Sequence, residues 1–223
     1  MSLAKFWMLL LACLLIEALV GCGGDDDPGD DDDSAGPITC AGDYTVDSTN
    51  TVGGMAAIAD CEVITGGLYI VGTSLTNLDG LSNLTSVGGD MRIDENNYLT
   101  HVIGLALLVS VGDDLYIQGN RELTTLDGLA GLNLVGGRMR IGHNNSLTDL
   151  DGLSNLTSVG DDLRIQHNDS LTNLNGLSNL ASVDHDLHIK GNNFLTNLDG
   201  LAGLTLTSVG GQLWISDNAV LSN

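Results

Sequence analysis

Apolar positions recur along this chain with two interleaved spacings. The longer is a 24-residue period marked by Ile93, Ile117, Ile141, Ile165 and Ile189, each followed three residues on by Asn. Leu or Met stands two residues before each anchor (Met91, Leu115, Met139, Leu163, Leu187), and Val stands six before it (Val87, Val111, Val135, Val159, Val183). The register extends back to Ile64, Leu68 and Ile70 after one deletion. It extends forward to Val209, Leu213 and Ile215 after an insertion around Thr205-Leu206, which predicts seven strand rungs. A period of this length marks a solenoid, in which each repeat buries its apolar face only against its neighbours.

Within a repeat, Leu163-Arg164-Ile165 alternates apolar, polar, apolar, the pattern of a short strand with one buried face. The shorter spacing follows: Leu171, Leu174, Leu177 and Leu180 recur every three residues. The Asp/Asn-Gly pairs among them (Asp79-Gly80, Asp127-Gly128, Asp151-Gly152, Asn175-Gly176, Asp199-Gly200) read as turns needing positive φ, so the spacing predicts short extended segments joined by corners. The expected fold is all-β: a right-handed parallel β-helix of about seven leucine-rich-repeat-like coils, with a rod of about 29 Å at ~4.8 Å per rung. Asn96, Asn120, Asn144, Asn168, Asn192 and Asn218 form a column at the bend after the strand, where side-chain amides can satisfy backbone groups that a sharp turn leaves open.

The N-terminal segment has a different character. Lys5, the apolar run Phe6 to Val20, and Leu19-Val20-Gly21-Cys22 read as a bacterial lipoprotein signal over residues 1–21, with Cys22 as the lipidated residue. A 15-residue apolar run is short for a membrane span, which needs about 20. Residues 22–37 carry seven Asp in the nine positions Asp25 to Asp33, a density of like charge that keeps a segment solvated, so they read as a tether to a domain over 38–223. The formal net charge of −22 argues against nucleic acid as a partner and against adsorption to an anionic membrane, leaving the lipid as the sole membrane attachment. The localisation expected is the bacterial cell envelope, at the outer membrane or cell surface.

Of four cysteines, Cys13 leaves with the signal and Cys22 takes the lipid, so Cys40 and Cys61 remain as an expected disulfide in an exported, oxidising compartment. That bridge would hold a short capping helix within Asn50 to Asp60, weakened by Gly53-Gly54, against the exposed end of the solenoid.

Cys40-Ala41-Gly42, Cys61-Glu62-Val63-Ile64 and Gly67-Leu68-Tyr69-Ile70 resemble the opening of the receptor L domain, the ligand-binding module of the epidermal growth factor and insulin receptors. The repeats that follow, such as Leu147-Thr148-Asp149-Leu150-Asp151-Gly152-Leu153, resemble L-domain-like proteins of bacteria and of fungal cell walls. The resemblance covers about residues 38 to 223. It implies a right-handed β-helix with a sheet face that meets a ligand. The coils here are more regular than in the receptors and no cysteine-rich module follows, so receptor signalling is not implied.

The outward strand position collects Tyr69, Arg92, Tyr116, Arg140, Arg164, His188 and Trp214. These are candidate binding residues, because Tyr, Trp and Arg are the types in which binding energy concentrates. The competing reading is a sheet face whose arginines pair across strands with the outward Asp two positions earlier: Asp90, Asp114, Asp162 and Asp186. Thr76, Thr100, Thr124, Thr148, Thr172 and Thr196 form a further column, read as structural. His101, His143, His167, His185 and His188 read as solvated. The acidic pairs Asp113-Asp114 and Asp161-Asp162 lack the glycine-rich nonapeptide of calcium-binding rolls, so no metal and no cofactor is assigned. Catalysis needs a group singled out from its repeats, and the regularity argues against an enzyme. The function expected is an envelope-anchored binding or adhesion module for a protein or glycan ligand. The alternatives are a structural envelope protein without a specific ligand and a polysaccharide-active β-helix enzyme. The apolar last repeat also raises end-to-end self-association.

Overall fold

The computed structural model describes residues 36–204 and 208–221. The signal, Cys22, the Asp run and the insertion around Thr205-Leu206 lie outside the described residues.

From Thr39 on, the chain is built of short strands in two parallel sheets, consistent with a parallel β-solenoid. Each full repeat supplies two strands. The first sheet holds the two-residue strands β1 (Thr39–Cys40), β3 (Val63–Ile64), β5 (Ser86–Val87), β7 (Ser110–Val111), β9 (Leu134–Val135), β11 (Ser158–Val159) and β13 (Ser182–Val183) in that order. The second holds β2 (Tyr44–Asp47), β4 (Leu68–Val71), β6 (Met91–Asp94), β8 (Leu115–Gln118), β10 (Met139–Gly142), β12 (Leu163–Gln166), β14 (Leu187–Lys190) and β15 (Leu213–Ser216). That is eight strands where seven rungs were expected. Tyr44-Thr45-Val46 adds a strand with Val46 buried, hidden in the sequence because Tyr44 stands in the Leu/Met column and no 24-residue coil precedes it.

Identical positions pair across coils, so Ile70, Ile93, Ile117, Ile141, Ile165 and Ile189 stack directly and are all fully buried. One coil contributes Leu147, Leu150, Leu153, Leu156, Val159, Leu163 and Ile165, every one at 0% exposure. At about 2 kcal/mol per large aliphatic side chain, this column packing is the main favourable term.

The corners differ from expectation. The Asp/Asn-Gly-Leu triplets are single turns of 3-10 helix, as at Asp151–Leu153, where the N–H of Leu153 donates to the carbonyl of Leu150 at 2.8 Å. A 3-10 turn has three residues per turn, so leucines spaced by three all face inward. The turn glycines are not at positive φ. They are required by close approach instead: a Cβ on Gly152 would collide with the carbonyl oxygen of Leu126 one coil below, and Gly104, Gly128, Gly176 and Gly200 repeat the arrangement. Positive φ falls one residue before the Asn column, at Gly72, Glu95, Gly119, His143, His167, Gly191 and Asp217.

Cys40 and Cys61 form the expected disulfide, with Cα atoms 5.7 Å apart. The helix α1 (Thr51–Ile58) falls within the expected segment. It packs on β2 and on the first 3-10 turn, with Ile58 in the core. Asn50 closes its approach by accepting the N–H of Asp47 at 2.8 Å and donating to the carbonyl of Thr45 at 2.8 Å.

The Asn column is a continuous ladder. Asn120 Nδ2 donates to the Ile93 carbonyl at 2.7 Å, while its N–H donates to Oδ1 of Asn144 at 3.0 Å. The pattern runs from Asn96 to Asn218, and Thr73 takes the first place by donating both N–H and O–H to Oδ1 of Asn96. The Thr column is structural too: from Thr100 to Thr196 each hydroxyl donates to the carbonyl of the Thr one coil earlier, as Thr172 does to Thr148 at 3.1 Å.

Candidate functional site

The outward face of the eight-stranded sheet presents three columns per strand, because side chains two apart share a face. The middle column runs in register from Thr45 through Tyr69, Arg92, Tyr116, Arg140, Arg164 and His188 to Trp214. Strand pairing brings all seven expected residues onto one line.

Neighbours in the column interact. Arg92 lies over the Tyr116 ring, 4.7 Å from its centroid, and 5.9 Å from that of Tyr69. His188 and Trp214 stack with centroids 6.1 Å apart, and Trp214 is 53% exposed. Such contacts restrict the rotamer freedom of the side chains that make them.

The acidic column also engages this face, through the Asp two positions before each outward residue as expected. Each Asp pairs along its own strand: Arg92 with Asp90 at 3.5 Å, Tyr116 with Asp114 at 2.7 Å, Arg164 with Asp162 at 2.9 Å and His188 with Asp186 at 3.4 Å, and Asp162 alone of these also reaches an arginine of the neighbouring coil, Arg138. The other oxygen of each Asp accepts a backbone N–H from the next coil, as Asp114 does from Arg138 at 2.7 Å. Burial, then the bond to Asp114, pushes the Tyr116 hydroxyl above its usual range. The Gln212 N–H and His188 hold Asp186 below the usual carboxylate range. The pair Asp161-Asp162 binds cations of the protein itself, facing Arg138 at 3.8 and 3.6 Å, while Asp161 also meets His185 at 3.0 Å. Among the described residues no group of three or more His, Cys, Asp or Glu is placed to hold a metal ion. No helix among them is long and apolar enough to cross a membrane.

The histidines are less uniform than expected. His143 and His167 stack with ring centroids 4.9 Å apart at successive positive-φ corners, and burial, then His167, lowers the His143 pKa.

The third outward column reads Asp47, Val71, Asp94, Gln118, Gly142, Gln166, Lys190 and Ser216. It holds a group that sequence reasoning missed. Asp94 Oδ1 is buried without a hydrogen-bond partner, and burial raises the pKa of this carboxyl to about 6. Below about pH 6 it is therefore mostly protonated and can donate a hydrogen bond.

No protein-family model, curated protein or solved structure gives a significant match to this chain.

Proposed function

We propose that this protein is a lipid-anchored bacterial envelope protein of the receptor L-domain type. In this reading a right-handed β-helix serves as a binding or adhesion module for a protein or glycan ligand. The observation that carries the reading is the ordered column Tyr69, Arg92, Tyr116, Arg140, Arg164, His188 and Trp214 on one exposed sheet face. Three of the seven are aromatic and three are arginines in a chain with only seven Lys and Arg in all, so the face concentrates the residue types that dominate recognition. The residues that build the fold lie elsewhere, in the buried columns, the 3-10 corners and the Asn ladder. The outward column varies from coil to coil, where the buried columns do not.

The test is a glycan array together with an envelope pull-down, run on the native chain and on a variant with Arg140, Arg164 and Trp214 replaced by Ala. The variant is expected to keep its circular dichroism and denaturant midpoint while losing the captured ligand. A ligand held with equal affinity by both proteins would remove the sheet face from the reading.

A further inference from the structure

The bend after each strand of the eight-stranded sheet turns through a left-handed residue, and the column of these reads Gly72, Glu95, Gly119, His143, His167, Gly191 and Asp217. The bend does not demand glycine, since Glu, His and Asp take the same positive φ. Gly119 stands between two long side chains, with Glu95 one coil before it and His143 one coil after. A Cβ at 119 would meet Glu95 Cγ at 3.5 Å, an ordinary van der Waals contact. The position has room for a side chain and carries none, which leaves a gap in the column.

The gap opens into a cavity of about 300 Å³ lined by Asp94, Glu95, Gln118, Gly119 and His143. That volume lies at the lower end of the ~300–1,000 Å³ found for small-molecule sites. A second hollow of about 530 Å³ shares Glu95, Gly119 and His143 with the first and adds Asn97, Arg121 and Asn145. The two form one polar notch centred on Gly119.

Every side chain in the first cavity is polar, and none belongs to Lys or Arg. Among the described residues the side chains of Glu95, Gln118 and His143 make no hydrogen bond or ion pair with the protein, so their polar atoms are available to a ligand. His143 is held without such bonds, because its ring stacks on that of His167 with centroids 4.9 Å apart. Burial, then His167 and Arg140, keep its pKa below the usual value, so at neutral pH the uncharged ring offers one donor and one acceptor. Glu95 is the main negative charge of the notch, since Asp94 is partly offset by Arg92 and Arg140. The net charge of −22 adds long-range attraction for cations.

We propose that the Gly119 notch binds an amino sugar, a pyranose with a free ammonium group, at a site separate from the column of Tyr, Arg and Trp. The ammonium pairs with the Glu95 carboxylate in a charge-assisted hydrogen bond. The ring takes the place of the missing side chain, and its hydroxyls meet the Gln118 amide and the His143 ring, each of which both donates and accepts. Arg121 lies in the second hollow, where it and the Asn97 and Asn145 amides face the next sugar of a chain. A uronate suits the first cavity poorly because no Lys or Arg lines it. A lysine side chain suits it less well than an amino sugar, because it would use Glu95 and leave the amide and the imidazole unmatched.

The experiment is calorimetric titration of the full chain with the trisaccharide of glucosamine, with its fully N-acetylated counterpart and with trilysine. Salt at about 0.15 M shortens the Debye length to about 8 Å, so the general acidity of the chain contributes little. The glucosamine trimer is expected to bind at least ~tenfold more tightly than the acetylated trimer, which lacks the charge, and than trilysine, which lacks the hydroxyls. Glu95→Gln should weaken the trimer by a similar factor. So should Gly119→His, which fills the gap with the residue that the next two coils carry at the same positive φ and therefore keeps the bend. Asp79→Asn makes the same charge change as Glu95→Gln at a 3-10 corner and should have no effect. Absence of trimer binding, equal binding of the acetylated sugar or of trilysine, or indifference to either notch variant would overturn the proposal. A trimer lost on replacing Arg140, Arg164 and Trp214 but retained by Glu95→Gln would remove the notch and leave the sheet face standing as the binding site.

Discussion

The backbone N–H of Asn96 donates to Oδ1 of Asn120, one coil further on, at 3.0 Å, and both residues are fully buried. Each amide in the ladder therefore serves two coils: its oxygen closes the bend of the coil before, and its nitrogen holds the strand carbonyl of that same coil.

Removing a central member strands two buried backbone groups. Asn144→Ala leaves the Asn120 N–H and the Ile117 carbonyl without their partners at 3.0 and 2.9 Å. The expected cost is about 4 kcal/mol, at 1–3 kcal/mol for each unsatisfied group. Asn218→Ala breaks the same two kinds of bond where they are only half-buried, so water replaces them and the cost is expected to stay near 1 kcal/mol. Urea midpoints of the two variants check this; equal losses would mean that burial does not set the ladder's value.

The turn glycines give a second contrast. Gly152→Ala places a methyl group against the Leu126 carbonyl, which is fixed because it accepts the Leu129 N–H at 2.8 Å. Prising the coils apart is expected to cost about 3 kcal/mol or more. Gly53→Ala lies in α1 with nothing within 4 Å of the new methyl, and should stabilise by roughly 0.5–1 kcal/mol through helix propensity. Thermal melts of both proteins decide it, and a tolerated Gly152→Ala would refute the close-contact explanation.

These two cases mark how much of the fold the sequence discloses. The strand period and the Asn column could be read because each residue's role is fixed by what the same residue does one coil away. The role of Gly152 could not, since Asp-Gly reads locally as a positive-φ turn, and only stacking reveals the carbonyl beneath it. His143 and His167 escaped for the converse reason: nothing in their residue type announces a left-handed corner, and the glycines at 119 and 191 were the available hint. At the candidate site, alternation placed all seven outward residues on one line. Alternation also named the Asp two positions before each outward residue, which is where Arg164 finds Asp162, but it could not show that Asp94 Oδ1 would be left without a partner.

The disulfide ties β1 to the residue three places after α1, closing a loop between positions 21 apart in the chain. Loop closure of that length contributes about 3 kcal/mol by restricting the unfolded chain. Replacing both Cys40 and Cys61 by Ala is expected to lower overall stability by that order. It should raise amide exchange first in α1, whose other ties to the stack are the buried Ile58 and its packing on β2 and the first 3-10 turn. Uniform exchange across all coils would show instead that the bridge acts on the whole solenoid rather than on its first turn.

Asp94 makes stability depend on pH in the direction opposite to most carboxylates. Its folded pKa is about 6 against 3.8 for the free group, raised chiefly by burial and only partly countered by Arg92, the Gln118 backbone bond and Arg140. The folded state therefore holds a proton between those values that the unfolded chain has released. Stability contributed by the group is complete below pH 4 and is lost as the pH rises through 6. The unscreened shift corresponds to about 3 kcal/mol, and solvent screening of a half-exposed side chain reduces it to the order of 1 kcal/mol. Asp94→Asn keeps the shape and removes the titration, so it should match the native protein at pH 3.5 and exceed it by about that amount at pH 7. Paired urea titrations at the two pH values measure the difference directly, with the high net charge common to both proteins. A native protein that gained on its variant as the pH rose would mean that the Asp94 carboxylate is stabilised by its arginine neighbours, and that burial does not govern it.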